Sequence, residues 1–296
     1  MATDLACPAL DMPFGENDDP MKIDVDSFRK NGYLILRDFF QKDHVHQVLR
    51  DARMVFIRQF RRLNFPDCGT AQAIEEKQFN ENMYKLFEVD FECLTNCGKQ
   101  VQHLISLHRL SLNDEIVDLL HRVGMTSPVV STRPVMFFNH RRLAKKKVFH
   151  TVDSHQDWRS MQGSLNSVVI WVPLVDINKD LGSLQILPGS HLHGLRTDFV
   201  DNGFGMVKLT DQENKSLVSV EVNVGDALLF SSLLIHQSGD NITDRPRWSC
   251  HFRYNDLDDA TFIDRKFAHP YIYKPSDELI TPGFPTPSDV VKVFAK

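Results

Sequence analysis

After Pro128 the texture of the chain changes. "VVSTRPVMFFN", "SVVIWVPLV", "SLQILPG", "SVEVN", "DALLFSSLLIH" and "RWSCHFRY" follow one another as short β-rich runs separated by Gly, Asn, Asp and Pro. No run of helical periodicity stands between them. Successive short strands of this kind indicate an antiparallel sandwich or barrel rather than alternating βαβ units.

The residues before position 125 read differently. "YLILR" (33–37) predicts one short strand, and Asp43 is placed to cap the helix that follows. In that helix Val45, Val48, Leu49, Ala52, Val55 and Phe56 recur at the spacing of one buried face. Two further helices are expected between about 72 and 110. "SLNDEIVDLLHRVG" opens with a capping-box pattern, Ser111 to Asp114, and closes on Gly124. Residues 1–22, rich in Pro, Asp and Gly, predict a flexible arm. The expected fold is α+β with a mainly β core. A distorted double-stranded β-helix, a jelly-roll or cupin-like barrel, carries an N-terminal helical layer. Residues 23–296 form one domain: 23–125 mostly helical support, 126–255 the barrel, 256–296 a C-terminal extension.

Composition narrows what such a domain does. A net charge of −5 argues against a general nucleic-acid binder. Twenty-one phenylalanines predict a wide aromatic interior. The five cysteines are scattered; only Cys93 and Cys97 share a helical spacing, and nothing nearby in sequence completes a zinc site, so reduced thiols are expected. No stretch reaches the roughly 18 apolar residues of a membrane span. The first 20 residues lack a secretory pattern, and "FAK" at the end is not a peroxisomal address. The expectation is a cytoplasmic protein acting on a small molecule, without nucleic acid or membrane as partner. The sequence does not fix the oligomeric state, and a homodimer is compatible with it.

The chemistry concentrates in "SHQDW". In extended chain, His155 and Asp157 leave the same face, so both reach one ion. His236, closing the apolar run "DALLFSSLLIH", is the candidate third ligand from a distant strand. Two imidazoles and one carboxylate with open positions suit non-haem Fe(II) that activates O2. Among thirteen histidines a lone His-x-Asp is unremarkable, so the flanking residues decide. Arg247 leads "RWSCHFRY", in which alternation places Arg247, Ser249, His251 and Arg253 on one face. A guanidinium inside a barrel requires a carboxylate partner. Either a dicarboxylate cosubstrate or an internal acidic residue supplies it. Arg245 competes for the role but sits before Pro246, in the turn.

"HQD", "LGSLQILPGSHLHG" and "VGDALLFSSLLIHQSGDNITDRPRWSCHF", preceded by "FRKNGYLILRDFF", resemble the phytanoyl-CoA dioxygenase family of Fe(II)/2-oxoglutarate oxygenases, in the family's order from about residue 24 to 255. The resemblance implies iron held by His155, Asp157 and His236, with 2-oxoglutarate and O2 as cosubstrates. It implies that Arg247 receives the far carboxylate of 2-oxoglutarate, assisted by Ser238, with Trp171 and Met136 as walls. The family's usual "NG" reads "LGS" here, at Leu181, Gly182 and Ser183, so that turn is expected to differ. Asp157 is present where a Gly or Ala would suggest a halogenase.

Substrate contacts are expected from Arg159 and Gln162, which follow the ligands directly, and from a rim formed by "WRSMQGS". The basic stretch "HRRLAKKKVFH" (140–150) either receives an anionic group or is a solvated loop. The reading is a 2-oxoglutarate-dependent hydroxylase of a small metabolite. The alternative is a cupin-type oxygenase or isomerase that uses the same metal ligands without 2-oxoglutarate.

Overall fold

The computed structural model describes residues 23–66, 68–69, 74–143, 152–196, 199–201 and 204–268. The arm 1–22, the basic residues 144–150 and the chain beyond 268 lie outside the described residues.

Helix α1 (Val25–Asn31) is capped by Asp24, whose carboxylate accepts from the Ser27 amide at 2.8 Å. It leads into β1 (Tyr33–Leu36) and the long helix α2 (Lys42–Arg62). Asp43 is not the cap of α2. Gln41 holds that position without a side-chain bond, and Asp43 lies in the first turn, where its charge still complements the helix dipole. The predicted apolar face is buried through Val45, Val48, Ala52 and Phe56, with Leu49 and Val55 partly buried beside it.

Three helices, not two, fill the next stretch: α3 (Glu76–Val89), α4 (Phe91–Gln100) and α5 (Ile105–Ser111). Helix α6 (Asp114–Arg122) is capped by Asn113, which accepts from the Ile116 amide at 3.0 Å. Ser111 instead ends α5, and its hydroxyl donates to the His108 carbonyl at 2.9 Å. The expected capping box does not form because Ser111 still belongs to α5, and the chain enters α6 only at Asn113.

The β half runs β2 (Pro128–Asn139), α7 (Trp158–Met161), β3 (Val168–Pro173), β4 (Leu184–Ile186), β5 (Phe199–Asp201) and β6 (Phe204–Met206). It continues with α8 (Asp211–Lys215), β7 (Val218–Val220), β8 (Ala227–Ser231), β9 (His236–Ser238), β10 (Arg247–Asp256) and α9 (Ala260–Asp264). The apolar run 226–236 is therefore two strands with a turn between them. His236 opens β9 and does not close β8.

The larger sheet has the order β1-β8-β3-β10-β2, with all neighbours antiparallel. The smaller sheet is β7-β4-β9, and single bridges from His155 to His236 and to Met206 tie the β5-β6 hairpin to it. Strand β3 is buried at every position because both of its faces are covered. Val168, Ile170 and Val172 join the helices in one core, while Val169 and Trp171 meet Leu184, Ile186 and Val220 of the smaller sheet in another. The helical layer thus seals the outer face of the large sheet, and the inner faces of the two sheets oppose each other. Phe56 of α2 anchors the first contact, edge-on to Phe138 at 5.6 Å and to Trp248 at 6.0 Å. Among the described residues no helix is long and apolar enough to cross a membrane.

Candidate metal centre

His155, Asp157 and His236 meet between the two sheets, with one ligand atom of each lying within 4.8 Å of the others. Backbone pairing brings the distant segments together. The His155 amide donates to the His236 carbonyl at 3.0 Å, and the His236 amide returns the bond at 3.1 Å. The local reason for the His-Asp convergence differs from the extended-chain expectation. Asp157 has left the strand and has helical dihedrals at the N-terminal cap of α7. A strand-to-helix turn, not simple alternation, aims its carboxylate back at the imidazoles.

Both imidazoles are oriented by their own backbone. His155 Nδ1 donates to the Asp153 carbonyl at 2.7 Å, and His236 Nδ1 to the Leu234 carbonyl at 3.0 Å. A carbonyl only accepts, so each Nδ1 carries the proton and each Nε2 lone pair is free. Those Nε2 atoms stand 3.9 Å from Asp157, His155 nearest Oδ1 and His236 nearest Oδ2. Burial pushes the His236 pKa down to about 4, with the neighbouring His155 adding to the effect, so His236 is neutral near pH 7. Burial opposes ionisation of Asp157, but Arg253 first, and then the surrounding imidazoles, hold its carboxyl below the usual range. Two neutral nitrogens and one carboxylate oxygen, with the remaining directions opening on a cavity, form a donor set suited to a ferrous ion.

The cavity has a volume of about 80 Å³, on a scale where one water needs roughly 10–15 Å³. Its wall is apolar at Phe137, Val169, Leu184 and Phe230, and Trp171 stands among them as expected. Arg247 lies in the same wall, 2% exposed. One guanidinium nitrogen donates to the Gly182 carbonyl and another to Ser238 Oγ at 3.2 Å. No carboxylate among the described residues pairs with Arg247, and its Nε and the neighbouring Ser249 Oγ have no hydrogen-bond partner there. Among the described residues the internal salt bridge considered from sequence is therefore not formed. Burial lowers the Arg247 pKa to about 10, which leaves it charged near neutrality. A buried, unpaired cation beside an unpartnered hydroxyl fits the far carboxylate of 2-oxoglutarate. Arg245 is exposed in the preceding turn.

Three expected residues lie outside the cavity wall. Met136 pairs across the sheet with Cys250 and faces the helical core, so Phe137 holds the cavity position that Met136 was expected to fill. Arg159 does not line the cavity: its side chain lies over Gly205, with Nε 2.0 Å from where a Cβ would stand. Gln162 ends α7 in a left-handed conformation and is also absent from the wall. The Trp158–Ser164 segment turns inward, burying Met161, so it is support more than rim. Of the basic stretch, Arg141 pairs with Asp244, Arg142 with Glu81, and His140 is buried against Tyr84 with ring centroids 4.7 Å apart; residues 144–150 lie outside the described residues.

Two titratable cavity residues were not among the expected site residues, His251 and Arg253, although alternation already set them on the Arg247 face. Arg253 Nη2 donates to Asp157 Oδ1 at 2.9 Å. A separate groove of about 420 Å³ passes Cys93 and Cys97, but the histidine–aspartate cluster is the only metal-ligand grouping among the described residues. Burial first, then Cys93 beside it, push the Cys97 thiol up to about 12, as befits an inert reduced thiol.

Comparison with known proteins agrees with this site. The family model for phytanoyl-CoA dioxygenase (PhyH) matches residues 28–249. A phytanoyl-CoA dioxygenase domain-containing protein 1 homolog from Dictyostelium discoideum is 29% identical over 257 residues, covering 77% of this chain and 89% of the relative. A phytanoyl-CoA dioxygenase from Arabidopsis thaliana is 24% identical over 253 residues, covering 75% and 84%. Among solved structures, the epimerase SnoN in complex with Fe3+, alpha ketoglutarate and nogalamycin RO superposes with a TM-score of 0.54 at 19% identity, covering 85% of this chain and 90% of that one. EctD from S. alaskensis gives 0.53 at 18% identity, covering 83% and 81%. At such identities these two establish the shared cupin-like fold. With three quarters of the sequence inside the family model, this chain belongs to the phytanoyl-CoA dioxygenase family of Fe(II)/2-oxoglutarate oxygenases.

Proposed function

We propose that this protein is an Fe(II)/2-oxoglutarate-dependent dioxygenase that hydroxylates a small-molecule substrate. His155, Asp157 and His236 hold the iron. Arg247 and Ser238 receive the far carboxylate of 2-oxoglutarate, and Trp171 walls the cosubstrate. The observation that carries the reading is the buried Arg247, which lacks a carboxylate partner and opens on the same cavity as the metal ligands. A metal barrel that made no use of a dicarboxylate would gain nothing from an unpaired internal cation, which costs several kcal/mol.

Iron with 2-oxoglutarate and O2 supplies the oxidising chemistry, in which one oxygen atom enters the substrate while 2-oxoglutarate becomes succinate and CO2. The chain supplies position and dryness. The two Nδ1–carbonyl bonds leave both Nε2 lone pairs free, so that His155 and His236 would hold the ion through them. The apolar wall excludes water and strengthens the Arg247 contact. Asp157 completes the ligand set, which supports transfer of oxygen rather than halide.

An anaerobic titration with Fe(II) and then 2-oxoglutarate tests the reading. The expected result is a weak visible charge-transfer band, absent in His155→Ala and Asp157→Ala, together with O2-dependent succinate formation. No band and no succinate in the parent protein would overturn it.

A further inference from the structure

The contact between Arg253 and Asp157 is not part of the ligand set, and it rests on the metal reading above. Arg253 projects from β10 on the same face as Arg247, His251 and Ser249. Its side chain is 14% exposed and that of Asp157 6% exposed. The pairing of β10 with β2 is irregular at this point: His251 faces Val135 while Arg253 faces Thr132, so β2 contributes an extra residue between them. Such bulges re-aim a side chain beside a site. Pairing with β3 stays regular through the same residues, so β10 itself is not displaced from the cavity wall.

The two oxygens of Asp157 are consequently not equivalent. Oδ1 accepts from Arg253 Nη2 at 2.9 Å, whereas Oδ2 receives no hydrogen bond among the described residues and stands 3.9 Å from His236 Nε2. The backbone around Asp157 is fixed separately. Its carbonyl accepts from the Ser160 amide at 2.9 Å and from Ser160 Oγ at 2.9 Å. What remains to be set is rotation of the carboxylate, and Arg253 sets it.

We propose that Arg253 is the positioning residue of the metal centre. By engaging Oδ1 it presents Oδ2 alone to the ion, making Asp157 a one-oxygen ligand and keeping one more coordination position open than a two-oxygen carboxylate would. Removing it lets the carboxylate rotate and bind through both oxygens or swing away.

The test uses Co(II), whose visible d–d absorption reports coordination without turnover. Parent protein, Arg253→Met, Arg253→Gln and Arg253→Lys are titrated with Co(II) in the absence of 2-oxoglutarate, with folding checked by circular dichroism. His155→Ala serves as the control for binding at the triad. The expected result is an altered d–d spectrum and about 10- to 100-fold weaker Co(II) binding for Arg253→Met, the range typical of lost ligand-orienting contacts. Arg253→Lys should recover part of both. Should the Met variant not fold, Arg253→Gln, which retains a donor of similar character, is judged against the Lys variant by the same spectrum. Co(II) binding as tight as in the parent, or tighter, with an unchanged spectrum in the folded variants overturns the positioning role. Failure of the parent itself to bind Co(II), or binding unaffected by His155→Ala, would instead refute the metal reading and the inference with it.

Discussion

Arg247 and Ser238 form a polar pair in the cavity wall, the guanidinium donating to Ser238 Oγ at 3.2 Å from a residue that is 2% exposed. The residue that fixes their geometry is Gly182. Its carbonyl accepts the other guanidinium contact. The pair is held ready, but among the described residues its charge is met by neutral groups, the Gly182 carbonyl and Ser238 Oγ. Ligand binding and stability should therefore respond to Arg247 in opposite directions.

Arg247→Met removes the charge while keeping much of the volume. The ligand-free protein should become more stable, by about 1–4 kcal/mol, because an unpaired buried cation is replaced by an apolar side chain. Affinity for 2-oxoglutarate should fall about 100-fold or more, with Fe(II) or Co(II) binding at the triad unchanged. Thermal denaturation of the metal-free protein and calorimetric titration with 2-oxoglutarate give the two numbers. A variant that is destabilised, yet binds 2-oxoglutarate normally, would contradict the assignment on both counts.

Gly182→Ala tests the turn that carries the accepting carbonyl. Gly182 has φ of +84°, and a Cβ there would stand 2.6 Å from the Gly239 carbonyl oxygen. The atoms it would meet there belong to backbone, so they do not yield cheaply. A loss of roughly 1–3 kcal/mol is expected from strain alone. Because the turn must shift, 2-oxoglutarate affinity should fall as well, and urea unfolding with a parallel binding titration would show both. Wild-type stability in the Ala variant would mean that the turn relaxes freely.

Much of this site was legible in the sequence because its parts are short-range or topological. His236 and Arg247 open strands that the hydrophobic pattern marks clearly, and His-x-Asp is a short motif readable without knowing its register. The apolar positions of α2 could be read for the same reason: burial repeats with the helical period. What could not be read depends on register or on element boundaries. Met136 and Phe137 are adjacent, and a one-residue difference decides which faces the cavity. The caps were misassigned where two polar residues stand within three positions and a helix boundary falls between them, as with Ser111 and Asn113. Arg159 follows the ligands in sequence, but the turn of α7 carries it onto Gly205, which no local pattern reveals.

Histidine burial sets the pH response of the metal-free protein. His236 has a folded pKa of about 4 against 6.5 when exposed, and burial followed by the Arg253 charge also lowers His251 well below 6.5. Between those values the unfolded chain binds protons that the folded chain refuses. Stability from these residues is therefore full above about pH 6.5 and falls as pH drops toward 4, by about 1.4 kcal/mol per pH unit for each histidine once well below 6.5. Denaturant unfolding of the metal-free protein from pH 7.5 to 5 should show the decline, and His251→Gln should reduce its slope by one proton. Constant stability across that range would show that neither imidazole is held neutral.

The opposed faces of Met136 and Phe137 predict a clean separation of packing from binding. Met136 is 3% exposed and packs in the helical-layer core, where Leu has nearly the same volume. Met136→Leu should cost less than about 1.5 kcal/mol and leave 2-oxoglutarate affinity unchanged. Phe137 faces Ser249 across the strand pair and lines the cavity near Arg247. Phe137→Ala should enlarge that space, admit water beside the guanidinium and weaken 2-oxoglutarate binding about tenfold through dielectric screening. Binding titrations on the two variants decide it. An effect on 2-oxoglutarate from Met136→Leu but none from Phe137→Ala would mean that β2 is one residue out of the register described here.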